Sequence, residues 1–256
     1  MSLADTSPWW LLPNLFALDA PVVAIVWQRF LAGRFDVDVP WVASAALGAA
    51  VWSIYLIDRR LDAARGCLDA DRHRAAARRP RLFLGAGLLA ACLSVFAAAW
   101  LPAGYILAGL VVGLGVAAYL GLIHIAGGSL HSHAGVKELL VAIGFAGGVA
   151  IPLPVNGPPP VQWVPGIAAF AGLCFLNCRL IDRWESGGPR RAWPEFILGV
   201  GLLAFCVALP LAIGLAVGGA SLSLLVTRLT CRRRLRVARV LADAVLLTPL
   251  ACCVVP

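Results

Sequence analysis

The sequence predicts an all-α, polytopic transmembrane helical bundle of about nine membrane-spanning helices, forming one domain over residues 1–256. Three observations carry this. Apolar residues make up 61 % of the chain and charged residues only 13 %, against about 25 % in a soluble domain. Mean hydropathy is +0.88. The charges fall in the gaps between long apolar runs, so the apolar surface has to face lipid rather than water.

Breaks at charges and at Pro/Gly clusters divide the chain into nine apolar segments: 14–33, 40–57, 82–100, 103–123, 137–154, 161–181, 194–211, 212–227 and 238–255. The first differs from a cleavable signal peptide. No basic stretch precedes it, Asp19 lies inside the run, and no small-residue cleavage site follows. The stretch 194–227 is long for one crossing and short for two, with Pro210, Gly214, Gly218 and Gly219 in its middle.

Charge decides between the two. The formal net charge is +8, carried by twenty arginines and Lys137. Eight basic residues lie in 59–81, four in 179–191 and six in 228–239; only Arg29 and Arg34 stand apart from these and Lys137. Two crossings in 194–227 put nineteen of the twenty-one basic residues on one side. One crossing splits them. The positive-inside rule therefore favours two, with the N-terminus cytoplasmic and the C-terminus outside, in the inner membrane of a bacterial cell. The arginines read as membrane orientation, and no nucleic-acid-binding motif accompanies them. The eight cysteines read as free thiols, most of them inside apolar runs, and not as a disulfide framework.

The segments 58–81 and 182–193 are then cytoplasmic, and they hold six of the thirteen acids. Asp58 and Asp62 are spaced i, i+4, so a helix continued one turn past the membrane puts both carboxylates on one face. Two such acids share a hard divalent cation that takes its other oxygens from water and phosphate. Arg59, Arg60 and Arg65 are placed to contact phosphate oxygens. The plain alternative is a solvated loop whose acids offset its arginines. A second group, Asp182 and Glu185 with Asn177, Arg179 and Arg183, echoes the first: Tyr-Leu-Ile-Asp-Arg at 55–59 is answered by Arg-Leu-Ile-Asp-Arg at 179–183.

Three further groups stand out. Asp19 precedes Pro21 and reads as a cap or kink. Asp243 reads as the i, i+4 partner of Arg239. His124, His131 and His133 surround a glycine-rich stretch and read as a polar loop rather than a metal site.

On these residues the chain resembles the UbiA superfamily of intramembrane prenyltransferases. That family has nine helices and an Asn-Asp-x-x-Asp-x-x-x-Asp motif after helix 2. Here the motif reads Ile54-Tyr55-Leu56-Ile57-Asp58-Arg59-Arg60-Leu61-Asp62, with Ile54 and Tyr55 in place of the leading Asn-Asp. Asp182 stands for the central acid of the family's second motif, with Cys178 and Ser186 in the flanking acid positions and Glu185 nearby. The segment from Lys137 and Glu138 to Gly148 is similar to the family's Gly-rich helix 5.

The resemblance implies a transferase that moves a prenyl group from a prenyl diphosphate to a lipophilic acceptor, aromatic or otherwise, at the cytoplasmic mouth. It implies Mg²⁺ held by Asp58, Asp62 and Asp182. Tyr55, Arg59, Arg65, Asn177, Arg183 and Glu185 would then line the substrate site, with Tyr55 facing the allylic cation left when diphosphate departs. Loss of the leading Asn-Asp equally fits a non-catalytic relative that binds lipid or assists assembly. Asp19 and Asp243 inside apolar runs also fit a small transporter.

Overall fold

A computed structural model describes residues 8–66, 71–124, 135–186, 193–231 and 235–252. The described residues are helical, with no strand among them. A 3₁₀ turn, Trp9–Leu11, leads into α1 (Leu12–Leu15) and α2 (Asp19–Arg34). Then follow α3 (Trp41–Ala64), α4 (Asp71–Arg78), α5 (Pro80–Ala98), α6 (Ala103–His124), α7 (Val136–Ala150) and α8 (Pro152–Asn156). The chain ends with α9 (Pro160–Ser186), α10 (Trp193–Cys206), α11 (Leu211–Thr230), α12 (Leu235–Val245) and α13 (Pro249–Cys252).

Among the described residues six helical stretches are long and apolar enough to cross a membrane, and a seventh if Trp9–Leu15 and Asp19–Arg34 count as one bent span. Each of the nine apolar segments contains a helix. α2, with 16 residues, and α7, with 15, approach the roughly 17 a crossing needs only together with α1 and α8, and two others fall short outright: α10 has 14 residues and α12 has 11. The described residues of the two highly charged segments are largely helical. α3 runs seven residues past the expected exit at 57, and α9 continues to Ser186. Between them α4 adds two polar turns whose only buried residues are Ala75 and Ala76.

The bend between α1 and α2, 71°, leaves backbone carbonyls without helical partners inside an apolar slab. Ala17 turns the chain with φ +54°. Side chains of α3 then satisfy the freed oxygens. Trp52 Nε1 donates to Phe16 O at 2.9 Å, and Arg59 Nη1 donates to Asn14 O at 2.6 Å and Leu15 O at 2.8 Å. A second break, at 246–248 between α12 and α13, is closed in the same way. Trp27, fully buried and stacked 4.4 Å from Phe170, donates its Nε1 to Leu246 O at 2.7 Å.

The main core joins α2, α3, α7, α9, α11 and α12 around Trp27, Phe170, Leu173, Leu176, Ile213 and Leu224. By contrast, the spanning window of α6 is 6 % buried and that of α5 is 17 % buried. Those two helices present their apolar faces outward, as lipid requires. α10 and α11 form an antiparallel hairpin in which glycines permit close approach. A Cβ on Gly214 would meet Cys206 O at 2.6 Å, and one on Gly199 would meet Leu225 at 3.0 Å.

The polar ends of α3, α7, α9 and α12 gather at one end of the bundle, with α4 beside them. Lys137 of α7 reaches Asp62 of α3, Arg179 of α9 reaches Glu138 of α7, and Arg239 of α12 reaches Glu185 of α9. At the far end Arg29 lies 3.7 Å from the ring centre of Trp41 and donates to Val39 O and Ser44 Oγ.

Candidate functional site

The charged end is built from helix termini. Because α3 does not stop at the membrane edge, Asp58 and Asp62 lie one turn apart on a continuous helix. Asp62 is buried, and its Oδ2 lies 3.4 Å from Lys137 Nζ and 3.8 Å from His73 Nε2. Asp58 is partly buried one turn below. The Tyr119 hydroxyl of α6 lies within electrostatic reach of both acids and is buried without a hydrogen-bond partner.

Glu185 closes the other side. Arg72 Nη2 meets its Oε2 at 2.7 Å and Arg239 Nη1 its Oε1 at 3.0 Å, the latter an ion pair without hydrogen-bond alignment. Thus α4, which follows α3 in the chain, bridges the two expected acidic groups: His73 touches Asp62 and its neighbour Arg72 touches Glu185. Burial and then the Arg72 charge push the His73 imidazole below its ordinary value of 6.5. At the outer edge, burial acts to raise the Asp71 carboxyl, but hydrogen bonds from Arg74 and Arg236 outweigh it and hold the carboxyl below its usual range.

The remaining predicted residues are placed differently. Asp182 is exposed, and no hydrogen bond or ion pair holds its carboxylate among the described residues. Arg183 turns toward α10, where its Nη1 meets Glu195 Oε2 at 2.6 Å; Arg179 reaches the same glutamate at 3.5 Å. Arg59 is buried against the carbonyls of Asn14 and Leu15, so its role is to hold the N-terminal bend. Arg65 caps the exposed end of α3. Asn177 donates to Asp243 Oδ1 at 3.3 Å. Tyr55 packs against the main core, within electrostatic reach of Asp243, Asp19 and Cys178.

Asp243 does not pair with Arg239. Its Oδ2 accepts from Asn14 at 2.8 Å, while Arg239 donates to Asn14 Oδ1 at 3.1 Å. Asp19 opens α2 at the bend, and its Oδ1 accepts from the backbone N–H of Ala20 at 3.0 Å. Asp69, His131 and His133 lie outside the described residues.

Asn14, Glu195 and the bridging role of Arg72 escaped sequence reasoning. Glu195 carried a usable signal, being an acid in the first turn of an apolar helix, where intramembrane acids seek a partner. Asn14 carried none.

The donor set suits a divalent cation in one limited sense. Among the described residues no three His, Cys, Asp or Glu side chains converge closely enough to hold a metal ion by themselves. Mg²⁺ commonly uses one or two carboxylates and completes its shell with water and phosphate oxygens, which the Asp58–Asp62 pair permits. With Lys137, Arg72 and His73 beside that pair, the arrangement is suited to a bound polyanion. No family model, no curated protein and no solved structure matches the chain.

Proposed function

We propose that the protein is an integral membrane, prenyltransferase-like protein that takes a prenyl diphosphate by its head group at the charged end. The observation that carries this reading is the meeting of Asp62, Lys137, His73, Arg72 and Glu185, drawn from α3, α7, α4 and α9, at the end of an otherwise apolar bundle. A lipid diphosphate matches both halves of that surface. Its head group suits the cations and its tail the apolar helices.

In the same reading Asp58 and Asp62, with Asp182 nearer the solvent, would hold a magnesium ion, which would supply positive charge to the diphosphate leaving group. Lys137 and Arg72 contact diphosphate oxygens, and Tyr55 and Asn177 lie toward the prenyl chain and a lipophilic acceptor. The carbon–oxygen bond to diphosphate breaks with its electron pair on the leaving group. The acceptor supplies the new bond and loses a proton. Nine crossings, an inner-membrane location and a cytoplasmic charged end belong to this proposal.

A second reading, a lipid-binding relative without turnover, draws on a specific observation. Asp182 is exposed with no ion pair among the described residues, and Arg183 and Arg59 are engaged elsewhere. One experiment separates the two. Purified protein is mixed with geranylgeranyl diphosphate, with and without Mg²⁺, and both binding and diphosphate release are followed. Binding with release in the presence of an acceptor supports the transferase, and binding alone supports the lipid-binding relative. Absence of binding overturns both.

A further inference from the structure

At the α1–α2 bend, α9 and α12 meet the N-terminal segment around two carboxyl groups, Asp19 and Asp243. The Asn14 amide nitrogen donates to Asp19 Oδ2 at 2.8 Å and to Asp243 Oδ2 at 2.8 Å. A single nitrogen reaching both carboxyls places them side by side. Two ionised carboxylates held this close repel one another, and one positive charge shared between them relieves that repulsion.

The surroundings do not supply the missing positive charge by contact. Neither carboxylate has an ion pair among the described residues. The charged and titratable groups facing the pair are Tyr55 and Arg59 on α3, Cys178 on α9, Arg239 on α12 and Arg72 on α4. Arg59 Nη1 is engaged with the carbonyls of Asn14 and Leu15. Arg239 reaches Asn14 Oδ1 and Glu185. Arg72 is bound to Glu185. All three guanidiniums lie near the pair without closing on it.

An independent observation points to a cationic occupant. Asn177 is 6 % exposed and gives its amide nitrogen to Asp243 Oδ1. The oxygen of that same planar amide, Oδ1, is buried with no hydrogen-bond partner. An acceptor oxygen without a donor, at the edge of two carboxyls that already hold more lone pairs than donors, is a surplus of acceptors that a positive charge relieves. The place fits as well. Broken helices inside an apolar slab are where membrane proteins set their ion sites, and intramembrane acids there are costly unless used.

We propose that Asp19 and Asp243, with the Asn177 amide oxygen, form a site inside the membrane region for one positive charge, held as a proton or as a small monovalent cation. The site is separate from the Asp62 cluster and does not depend on diphosphate binding there.

Infrared spectroscopy of the purified protein tests it, at pH 7 in sodium-free buffer, with and without ¹³C-carboxyl aspartate. The wild type is expected to show the carbonyl stretch of a protonated carboxyl that shifts with the label. Asp19→Asn and Asp243→Asn should each remove it, and Asp71→Asn should leave it. Titration with NaCl distinguishes the occupants, since loss of the band means that sodium replaces the proton and persistence means that the proton alone is held. The absence of any label-sensitive protonated band in the wild type overturns the proposal, and that measurement needs no variant to fold. So does a band that survives in both variants.

Discussion

At the residue scale, position 62 carries the diphosphate reading. Asp62 is buried between Lys137 and His73, so Asp62→Asn keeps the shape and removes the charge that the Lys137 ammonium faces. Losing a charged hydrogen-bond or metal contact costs about 1.5–3 kcal/mol, roughly ten- to a hundred-fold in affinity. Titration of the variant with geranylgeranyl diphosphate and Mg²⁺ is expected to show that loss, with Asp58→Asn similar and Asp69→Asn close to wild type. Equal, small effects at all three would mean that these acids only balance neighbouring arginines. Glu195 is the structural counterpart. It is 1 % exposed between Arg183 and Arg179, and Glu195→Gln leaves Arg183 short of its charged partner while Arg179 keeps Glu138. A stability loss of about 1.5–3 kcal/mol is expected, read as a lower Tm in detergent without a change in diphosphate affinity. The contrast shows which contacts are legible in a sequence. Asp58 and Asp62 announce themselves by local spacing on one helix. Asn14 and Asp243 are 229 residues apart, and no local pattern marks them as partners.

At the element scale, the ends of α3 and α9 were the hardest to read. Charged residues look like a loop, yet helical hydrogen bonding carries α3 through Asp58 and Asp62 to Ala64, and Gly66 then turns the chain with φ +83°. α4 was invisible for a related reason, since alanines are its only apolar residues. Its placement gives stability a pH dependence. The His73 value lies below 6.5 in the folded state, so the unfolded chain binds more protons in the window between the two values. Stability therefore rises with pH through that window, becoming complete above 6.5, and His73→Gln should flatten the rise in a Tm-against-pH series. Asp71, held low by Arg74 and Arg236, acts in a separate window. Its contribution is present above the unfolded value of 3.8 and is lost as pH falls through the folded one. The α10–α11 hairpin has its own test. Gly214→Ala drives a Cβ into the Cys206 carbonyl and is expected to cost about 1–3 kcal/mol. Gly218→Ala meets only ordinary contacts at 3.7 Å and beyond, and should be neutral or slightly stabilising. Thermal melts of the two variants side by side check the packing.

At the scale of the whole molecule, the decisive question is how the chain is threaded through the membrane. The sequence answered by counting arginines, and the geometry bears on it through contacts. Arg239 meets Glu185 near the end of α9, and Arg236 meets Asp71 of α4 at 2.8 Å. The chain thus leaves the charged end after α9 and is back at that end when α12 begins. The residues between them, α10 and α11, must cross an even number of times. Their antiparallel hairpin, broken at 207–210, brings the chain back to that end, and its first helix, with 14 residues, is short for a crossing by itself. Past Arg239, α12 descends beside α2 to the break where Leu246 meets Trp27. Cysteine-accessibility or fusion tags at residue 1, at 68–70 and at 232–234 are accordingly expected to report the cytoplasm, a tag at 207–209 the opposite side, and one after residue 256 also the opposite side. A cytoplasmic report at 207–209 would make α10 and α11 a re-entrant pair, leaving the charged end intact. A cytoplasmic C-terminus would instead remove the last crossing and, with it, the nine-helix arrangement on which the resemblance to intramembrane prenyltransferases rests.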